Sequence, residues 1–307
     1  MLKTVKVRVP GTTANCGPGF DSVGIACTIY NSLELSVSEA SGLTIEVSGE
    51  GAGAIPHSEK NIVWQAARTV FIKVGFVYGG IRIRMDNAIP LARGLGSSAA
   101  AIVGGLVAAN AISGNQLTRQ QLFELATEME GHPDNVAPAL FGGITLSTMA
   151  AGSEGTSKAH YLRFLPPAPL SMIVAVPDFT LSTRASRQVL PQTVSLQDAV
   201  FNVSRTAILI GALCKGEFQH LQYALEDKLH QPYRQKLVPG MPEVFQAALA
   251  NGALGAAISG AGPCLIAFAV SRETAIGDAM VAAFGCHQIK AGYHVLSIDP
   301  DGAKIIN

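Results

Sequence analysis

The chain has 307 residues, enough for about two domains of ordinary size. Charged residues make up 14% of it and hydrophobic residues 48%, and the mean hydropathy is +0.31, which together exclude an intrinsically disordered chain. The 22 basic residues balance the 22 acidic ones, so the basic excess of a general nucleic-acid-binding protein is missing.

The cysteines and histidines give no sign of a metal site or of a disulfide framework. The five cysteines are odd in number, and neither C-x-x-C nor H-E-x-x-H occurs. We interpret the cysteines as small core residues in a reducing compartment. Residues 1–11 lack the apolar core of a signal peptide, and the longest apolar run, 99–109, is too short to span a membrane. These features indicate a soluble cytoplasmic protein.

Hydrophobic patterning in the first half of the chain predicts a mixture of strands and helices. The predicted strands are 2–9, 28–38, 42–48, 79–85 and 142–149, and the predicted helices are 61–74, 97–112 and 118–130. The last of these helices opens with Thr118 and Gln121 in the spacing of a capping box.

A Gly- and Ser-containing run, residues 151–158, is the best candidate for a linker. Beyond it the patterns predict a strand at 170–176, a helix at 195–214, a strand–turn–strand unit at 255–270, a helix at 272–284 and a strand at 293–298. The expected fold class is therefore α+β. We expect an N-terminal domain over 1–155 and a C-terminal domain over 156–307.

The segment 90–101, PLARGLGSSAAA, carries the clearest functional signal. Glycine lets the backbone approach an anion closely, and the free N–H groups at a helix N-terminus attract phosphate. Ser97 and Ser98 can cap the following helix or offer hydroxyls to phosphate oxygens and Mg²⁺. The segment predicts a phosphate-binding loop; the alternative is a helix-capping loop that binds no ligand.

Other nucleotide-binding motifs do not fit this loop. It matches the dinucleotide pattern G-x-G-x-x-A, but residues 86–93 separate it from the preceding strand, and no acidic residue occurs between Asn87 and Phe123. A Walker A motif would need G-K-[ST], which is absent, and so is the protein-kinase motif set. The sequence therefore argues against an NAD-dependent oxidoreductase and a P-loop enzyme.

Three segments, in this order, resemble the motifs of the GHMP kinases. They are PGTTANCGPGFD at 10–21, the loop at 90–101, and SGAGP at 259–263. The resemblance extends over essentially the whole chain, and three motifs together are far more specific than one.

Within that superfamily, three features resemble the homoserine kinases. They are NCGPGFD at 15–21, EGHPDNVAP at 130–138, and LSTR at 181–184 with Arg187 after it. Cys16 stands where that family usually has leucine, a change that is conservative in size.

The resemblance implies a ribosomal-protein-like N-terminal domain and a ferredoxin-like C-terminal domain, with ATP and Mg²⁺ between them, in a homodimer. It implies ATP-dependent phosphorylation of L-homoserine to O-phospho-L-homoserine, a step of threonine biosynthesis. Two alternatives stay open: a GHMP kinase of another small alcohol such as mevalonate, and a non-catalytic nucleic-acid-binding module, against which the zero net charge argues.

The resemblance also implies roles for particular residues. The implied catalytic residues are Asp21, Asn15, Asp134 and Asn135, and the implied substrate-binding residues are Arg187, Arg234, Thr183 and His132. The implied nucleotide-binding residues are Pro90, Leu91, Ala92, Arg93, Gly94, Leu95, Gly96, Ser97, Ser98, Ala99, Ala100 and Asn61, and the implied metal ligands are Ser98 and Glu130. An arginine fork matches the two oxygens of a carboxylate, although Arg184 and Arg205 are competitors for that role.

Each of these assignments has a structural alternative. Asn and Asp beside Gly and Pro often serve only to form turns, and an arginine or a helix-end acid can simply be solvated. We interpret Trp64 as a core residue rather than a base-stacking platform. No lysine lies in the matching motifs, so the sequence leaves open whether a strong base operates or an Asp acts through water.

Overall fold

A computed structural model of the chain describes residues 3–39, 41–151 and 157–306. Its strands, in chain order, are β1 (Lys3–Ala14), β2 (Val23–Ser38), β3 (Gly42–Gly49), β4 (Gly80–Asn87), β5 (Ile144–Ala151), β6 (Ser157–Phe164), β7 (Ser171–Pro177), β8 (Gly255–Ile258), β9 (Leu265–Ala269), β10 (Ala291–Leu296) and β11 (Lys304–Ile306). Its helices are α1 (Ile62–Val74), α2 (Ser97–Ile112), α3 (Arg119–Glu130), α4 (Pro133–Phe141), α5 (Thr183–Gln188), α6 (Leu196–Lys215), α7 (Leu221–Ala224), α8 (Gln231–Arg234), α9 (Met241–Ala250) and α10 (Glu273–Cys286). This mixture confirms the predicted α+β class.

The larger sheet of the described chain has seven strands, in the order β11–β1–β2–β4–β3, with β5 on the early part of β2 and β6 beyond β5. Only the β3–β4 pair is parallel. Both β1 and β2 run further than predicted, because their pairing continues through a register shift between Pro10 and Gly11. A Cβ atom at Gly11 would lie 2.8 Å from Ile29 Cγ2, so glycine permits this close pairing.

The smaller sheet has the order β10–β7–β9–β8, with every pair antiparallel. Numbered along the chain, its strands stand in the order 4-1-3-2, which is the order of a ferredoxin-like sheet. The predicted strand–turn–strand unit is confirmed as β8 and β9, and the ferredoxin-like C-terminal half implied by the resemblance is confirmed with it.

Helix α2 lies at the centre of the larger core. Most of its side chains are buried, and it packs on β1, β2, α1 and α3. Alanines and glycines dominate its sequence because neighbours surround the helix on all sides. Trp64 on α1 is 6% exposed and meets Tyr78 edge-on, in agreement with its interpretation as a core residue.

The predicted linker, 151–158, falls mainly on residues 152–156, which lie outside the described residues. The strands on either side of it, β5 and β6, pair with each other in the larger sheet. The chain therefore leaves this sheet after Phe164 rather than near residue 155, and β11 returns to it at the C-terminal end. The expected boundary at residue 155 falls between two strands that pair in one sheet, and residues 152–156 themselves lie outside the described residues.

The short helices were the main omission of the sequence-based prediction. Helix α4 begins at Pro133, directly after an extended His132, where no helix was predicted. Helices α5 and α7–α9 were not predicted, because most of these segments are too short to show helical periodicity, and α8 and α9 carry a proline in their first turn. No helix of the described chain is long and apolar enough to cross a membrane.

The cysteines divide into two groups. Cys16, Cys27 and Cys264 are buried, as expected of small core residues, and burial raises the pKa of the Cys27 thiol to about 12. Cys214 and Cys286 are exposed, so the interpretation of all five as core residues was wrong for these two.

The contact between α1 and α2 depends on a glycine. A Cβ atom at Gly105 would lie 2.5 Å from the Val63 carbonyl oxygen, a backbone atom that cannot move aside cheaply. We expect Gly105→Ala to lower the free energy of unfolding by about 1–3 kcal/mol, measured by urea denaturation. Gly104→Ala is the matched control, because its Cβ atom would meet Leu33 and Val9 at 3.4 Å. It should be neutral or stabilising by up to about 1 kcal/mol, and equal effects at both positions would contradict this account.

Candidate active site

Three loops that are far apart in sequence meet at one point. The Ser259 hydroxyl lies 2.6 Å from the Gly94 carbonyl oxygen and 2.9 Å from Thr13 Oγ1, so it joins all three. Asn15 Nδ2 donates to the Gly260 carbonyl oxygen at 2.7 Å, and the Gly260 N–H donates to Ala14 at 3.1 Å. The three sequence motifs are therefore one structural unit.

Glycines permit this close approach. A Cβ atom at Gly94 would lie 2.2 Å from the Ser259 carbonyl oxygen. Gly96 has φ +68°, and a Cβ atom there would lie 1.9 Å from Thr12 Oγ1. Helix α2 begins immediately afterwards, and no side chain caps its first turn, so the capping role considered for Ser97 and Ser98 is not found. The first N–H groups of α2 are left for an anion.

A cavity of about 460 Å³ opens beside this junction. Most of the predicted site residues line it: Asn15, Asp21, Leu91, Ala92, Arg93, Gly94, Gly96, Ser97, Ser98, Glu130, His132, Asp134, Asn135, Thr183, Arg187 and Arg234. The third motif contributes Gly260, Ala261 and Gly262. Loops from both sheets thus enclose one space.

Five residues expected to bind nucleotide do not line this cavity: Pro90, Leu95, Ala99, Ala100 and Asn61. All five are buried behind its wall. Asn61 instead caps α1, since its Oδ1 accepts from the Val63 N–H at 2.9 Å and its Nδ2 donates to the Pro56 carbonyl at 2.8 Å. Their side chains support the loop, and a role of these five residues in nucleotide binding stays a prediction.

Two predicted residues that line the cavity have side chains engaged by the protein itself. The Asn15 amide is used at both ends, because its Oδ1 accepts from the Asp21 N–H at 3.0 Å while its Nδ2 binds Gly260. The Arg93 guanidinium donates to the Pro177 carbonyl and pairs with Asp178 at 3.2 Å. Both side chains therefore hold the walls together.

Arg187 and Arg234 lie on the same side of the cavity. Arg187 donates to both carboxylate oxygens of Asp21, at 3.0 and 2.7 Å, and this hydrogen bonding raises the pKa of Arg187. Arg234 is only 1% exposed and donates to the carbonyl oxygens of Ser186 and Gly260. Within the described chain no carboxylate forms a direct ion pair with Arg234, although Asp21, Asp227 and Asp134 lie near enough to favour its charged form.

Burial is the main reason that the pKa of Arg234 falls to about 10, and the positive charge of Arg187 adds to it. The group still carries its charge at neutral pH. An anion bound between the two guanidinium groups would satisfy both the hydrogen-bonding capacity and the charge of this pair.

Two residues that sequence reasoning missed position these arginines. The Phe20 ring lies 5.5 Å from the Arg187 guanidinium and 5.4 Å from that of Arg234, and it stacks on His230 at 5.2 Å. His230 is fully buried, with Nε2 2.7 Å from the Gly17 carbonyl oxygen and Nδ1 3.2 Å from Arg234 Nη1. Nε2 therefore donates and Nδ1 accepts from Arg234. Phe20 belongs to the first motif, at 10–21, so the sequence contained a signal for it. His230 lies in none of the motifs, and no sequence pattern indicated its role.

The two competing arginines lie outside the cavity. Arg205 pairs with Glu226 at 3.0 Å on the surface, and Arg184 is exposed on α5. Neither lines the space that Arg187 and Arg234 share.

Glu130 and Ser98 bring two oxygen donors to the loop side of the cavity. The Ser98 hydroxyl donates to Glu130 Oε2 at 2.8 Å. Burial raises the pKa of Glu130, and the Ser98 hydrogen bond only partly opposes it. A cation would relieve the cost of keeping this carboxylate charged. Among the described residues no group of three or more His, Cys, Asp and Glu side chains could hold a metal.

His132, Asp134 and Asn135 form a hydrogen-bonded group at the start of α4. His132 Nδ1 donates to Asp134 Oδ1 at 2.6 Å, and Asn135 Nδ2 donates to the same oxygen at 3.3 Å. Burial alone would lower the pKa of His132, but the Asp134 hydrogen bond and the charges of Asp134 and Glu130 outweigh it and raise the pKa. Thr12 donates to Asn135 Oδ1 at 2.8 Å and holds the group against the first motif.

The other end of the cavity is largely apolar. Its walls include Ile55, Ile62, Met85 and Leu91. Two asparagines, Asn31 and Asn87, also line it, and neither was predicted. The available signal was their position: each stands where the alternation of its strand places a buried residue.

Comparison with protein families gives two matches. The GHMP kinases N terminal domain family matches residues 61–143, and the GHMP kinases C terminal family matches residues 209–285. The first match includes the glycine loop and α4, and the second includes Arg234 and the third motif.

Curated relatives match along the whole chain. A homoserine kinase of Moorella thermoacetica is 49% identical over 98% of this chain and 99% of its own, and one of Microchaete diplosiphon is 45% identical over 100% and 99%. The crystal structure of homoserine kinase from Cytophaga hutchinsonii superposes with a TM-score of 0.88 at 31% identity, covering 99% of this chain and 97% of that one. L. major mevalonate kinase in complex with R-mevalonate, at 19% identity and a TM-score of 0.72, shares the fold.

Glu130 gives a prediction about stability and pH. Because its pKa is raised in the folded state, the folded protein holds the Glu130 proton more tightly than the unfolded chain does. The contribution of Glu130 to stability must then fall as the pH rises from below its ordinary pKa through the raised one. We expect Glu130→Gln to gain stability relative to the unmodified protein between about pH 4 and pH 7.5, measured by urea unfolding without nucleotide or metal.

Glu128→Gln is the control, since Glu128 is exposed two residues away on another face of α3. It should follow the unmodified protein at both pH values. A Glu130→Gln protein that loses relative stability over the same range would show that the carboxylate is stabilised, rather than strained, in the fold.

Proposed function

We propose that this chain, which belongs to the homoserine kinase family of the GHMP kinases, transfers the γ-phosphoryl group of ATP to the hydroxyl of L-homoserine. The products are ADP and O-phospho-L-homoserine. The observation that carries the proposal is the buried Arg234, which has no direct ion-pair partner in the described chain and lines the same cavity as the uncapped N-terminus of α2. One cavity thus offers a place for a carboxylate and a place for phosphates.

At the substrate end, the fixed charges complement an amino acid. Arg234 and Arg187 bind the carboxylate, and the carboxylates of Asp21 and Asp134 accept from the ammonium group. In the structure Asp21 and Arg187 form an ion pair with each other. When a zwitterionic substrate binds, Arg187 pairs with its carboxylate and Asp21 with its ammonium group, so two ion pairs with the substrate replace the internal one. Thr183 lines the same cavity and supplies a hydroxyl.

At the phosphate end, the backbone N–H groups at the start of α2 hold the β- and γ-phosphates, as helix N-termini hold anions generally. Ser98 and Glu130 are the residues that would hold Mg²⁺. When bound, Mg²⁺ supplies positive charge that neutralises the phosphate oxygens.

The transfer itself asks mainly for positioning and charge neutralisation. The arginine pair anchors one end of the substrate, so that its hydroxyl extends toward the loop. His132, whose pKa is raised, adds positive charge beside the phosphates. Asp134 lines the cavity and is hydrogen-bonded to His132 at 2.6 Å, so we assign the acceptance of the hydroxyl proton to the Asp134–His132 pair.

The wider setting is also a proposal. We place the reaction in the cytoplasm, as a step of threonine biosynthesis, because that is the role the family resemblance implies. We further propose a homodimer, since α6 exposes Leu196, Val200 and Val203 along one face. Sedimentation equilibrium tests the dimer, and a monomer at micromolar concentration would refute it.

The substrate assignment predicts a definite ranking of alcohols. In a coupled assay of ADP release, L-homoserine should give the highest kcat/KM in a panel that includes mevalonate and the amide of homoserine. Mevalonate lacks the ammonium group that Asp21 and Asp134 would bind, and the amide lacks the carboxylate that the arginines would bind. Higher activity with mevalonate would favour the alternative GHMP kinase activity.

Arg234 allows a sharper test of the same pocket. Arg234→Lys keeps the charge but loses the donors to Ser186 and Gly260, so we expect the KM for L-homoserine to rise by roughly 100-fold. The KM for ATP should stay within about threefold. Arg184→Lys is the matched control, and it should leave both constants unchanged because Arg184 lies outside the cavity. A rise in the KM for ATP alone would place Arg234 at the phosphates.

A further inference from the structure

A buried acceptor without a partner lies at the apolar end of the cavity. Among the side-chain nitrogen and oxygen atoms of the described chain that have almost no exposed surface, Asn87 Oδ1 and Thr127 Oγ1 have no hydrogen-bond partner. Asn87 is 5% exposed and stands at the end of β4, and it lines the cavity. An orphaned buried carbonyl costs free energy, which is expected where a ligand later supplies the donor.

The amide of Asn87 cannot reverse to hide this oxygen. Its Nδ2 donates to the Glu50 carbonyl oxygen at 3.3 Å. Turning the amide over would bring two acceptors together at Glu50. The backbone therefore fixes Oδ1 as the group that stays without a partner.

Asn31 supplies the complementary group from the neighbouring strand. It is the direct antiparallel partner of Asn87, so the two side chains stand on one face of the sheet with Cβ atoms about 4.5–5.5 Å apart. Asn31 Oδ1 accepts from the N–H groups of Ala88 and Ile89, both at 3.0 Å. These two bonds fix its orientation, and its Nδ2 has no hydrogen-bond partner within the described residues.

The two strands thus present one acceptor and one donor side by side, next to the apolar walls formed by Ile62, Met85 and Leu91. Adenine matches this arrangement, because its exocyclic amino group is a donor and lies beside a ring nitrogen that is an acceptor. In guanine an acceptor oxygen replaces that amino group and would face the carbonyl of Asn87.

We propose that Asn87 and Asn31 read the nucleobase: Asn87 Oδ1 accepts from the 6-amino group of adenine, and Asn31 Nδ2 donates to the adjacent ring nitrogen. The pair makes the site selective for adenine over guanine nucleotides. This inference rests on the proposed function insofar as it places the phosphoryl donor in this cavity.

The first experiment uses the unmodified protein and varies the nucleotide. Calorimetric titration compares ATP with purine riboside triphosphate, which lacks only the 6-amino group, and with GTP. We expect purine riboside triphosphate to bind roughly 10-fold more weakly than ATP, and GTP more weakly still. Equal affinity for ATP and purine riboside triphosphate would overturn the proposal without any variant having to fold.

The second experiment asks whether Asn87 is the group responsible. In Asn87→Ala, ATP and purine riboside triphosphate should bind within about threefold of each other, while the KM for L-homoserine stays unchanged. The matched control is Thr127→Val, which removes the other unpartnered buried oxygen at a position that does not line the cavity, and it should retain the preference for ATP. A preference that survives Asn87→Ala assigns base recognition to another group and refutes the role of Asn87.

These titrations contain no alcohol, so they are separable from the proposed reaction. If ATP binds selectively but L-homoserine is not phosphorylated, the proposed substrate is wrong and the base-reading pair stands. If L-homoserine is phosphorylated equally well with ATP and with purine riboside triphosphate, the reverse holds.

Discussion

The site depends on the hydrogen bonds that the 259–263 turn makes to two other loops. The Ser259 hydroxyl reaches both Thr13 and the Gly94 carbonyl, and the Gly260 carbonyl accepts from Asn15 and from Arg234. Each of these partners comes from a different part of the chain, and the turn itself follows a strand of the smaller sheet. The junction therefore fixes the distance between the helix N-terminus that would hold phosphate and the arginine that would hold a carboxylate. Geometry at a reacting centre is sensitive to displacements of about 1 Å, so this junction sets the catalytic alignment.

The cavity also contains buried charged and polar groups whose ion pairs or hydrogen bonds are incomplete. Such groups are uncommon in a core that serves only to stabilise the fold. Arg234 is buried without a direct ion-pair partner in the described chain, burial raises the pKa of Glu130, and Asn87 keeps an unpaired carbonyl. Each of them costs folding free energy, and each would be relieved by a different group that we propose the cavity binds: a carboxylate, a cation or a base. Stability and function compete at such sites. The positions of these three groups favour one orientation of the ligands in the cavity. In the opposite orientation an anionic group of a ligand would face Glu130 instead of Arg234.

The sequence predicted the larger elements and the glycine loops but not the path between the sheets. Long periodic segments such as α2 and α6 were predicted to within one residue, because many positions contribute to each pattern. The segment between β5 and β6 was predicted to be a domain linker, although these two strands pair with each other, and the helices between 183 and 250 were missed apart from α6. Short helices are stabilised by tertiary contacts, which leave little trace in local sequence.

The site residues divide along the same line. The cavity-lining residues that motifs predicted, such as Asp21, Arg187 and Ser98, belong to short segments with a characteristic local sequence. Such local patterns can be recognised without knowledge of the fold. His230, Asn31 and Asn87 act through partners distant in the chain, since Asn31 meets Asn87 only across a strand pair and His230 meets Gly17 only in the folded state. The side-chain amide of Asn61 caps α1, a contact that the sequence-based prediction did not include. Adjacency in sequence thus finds the loops that hold phosphate, whereas the selectivity of a pocket is set by pairs that only the sheet register brings together.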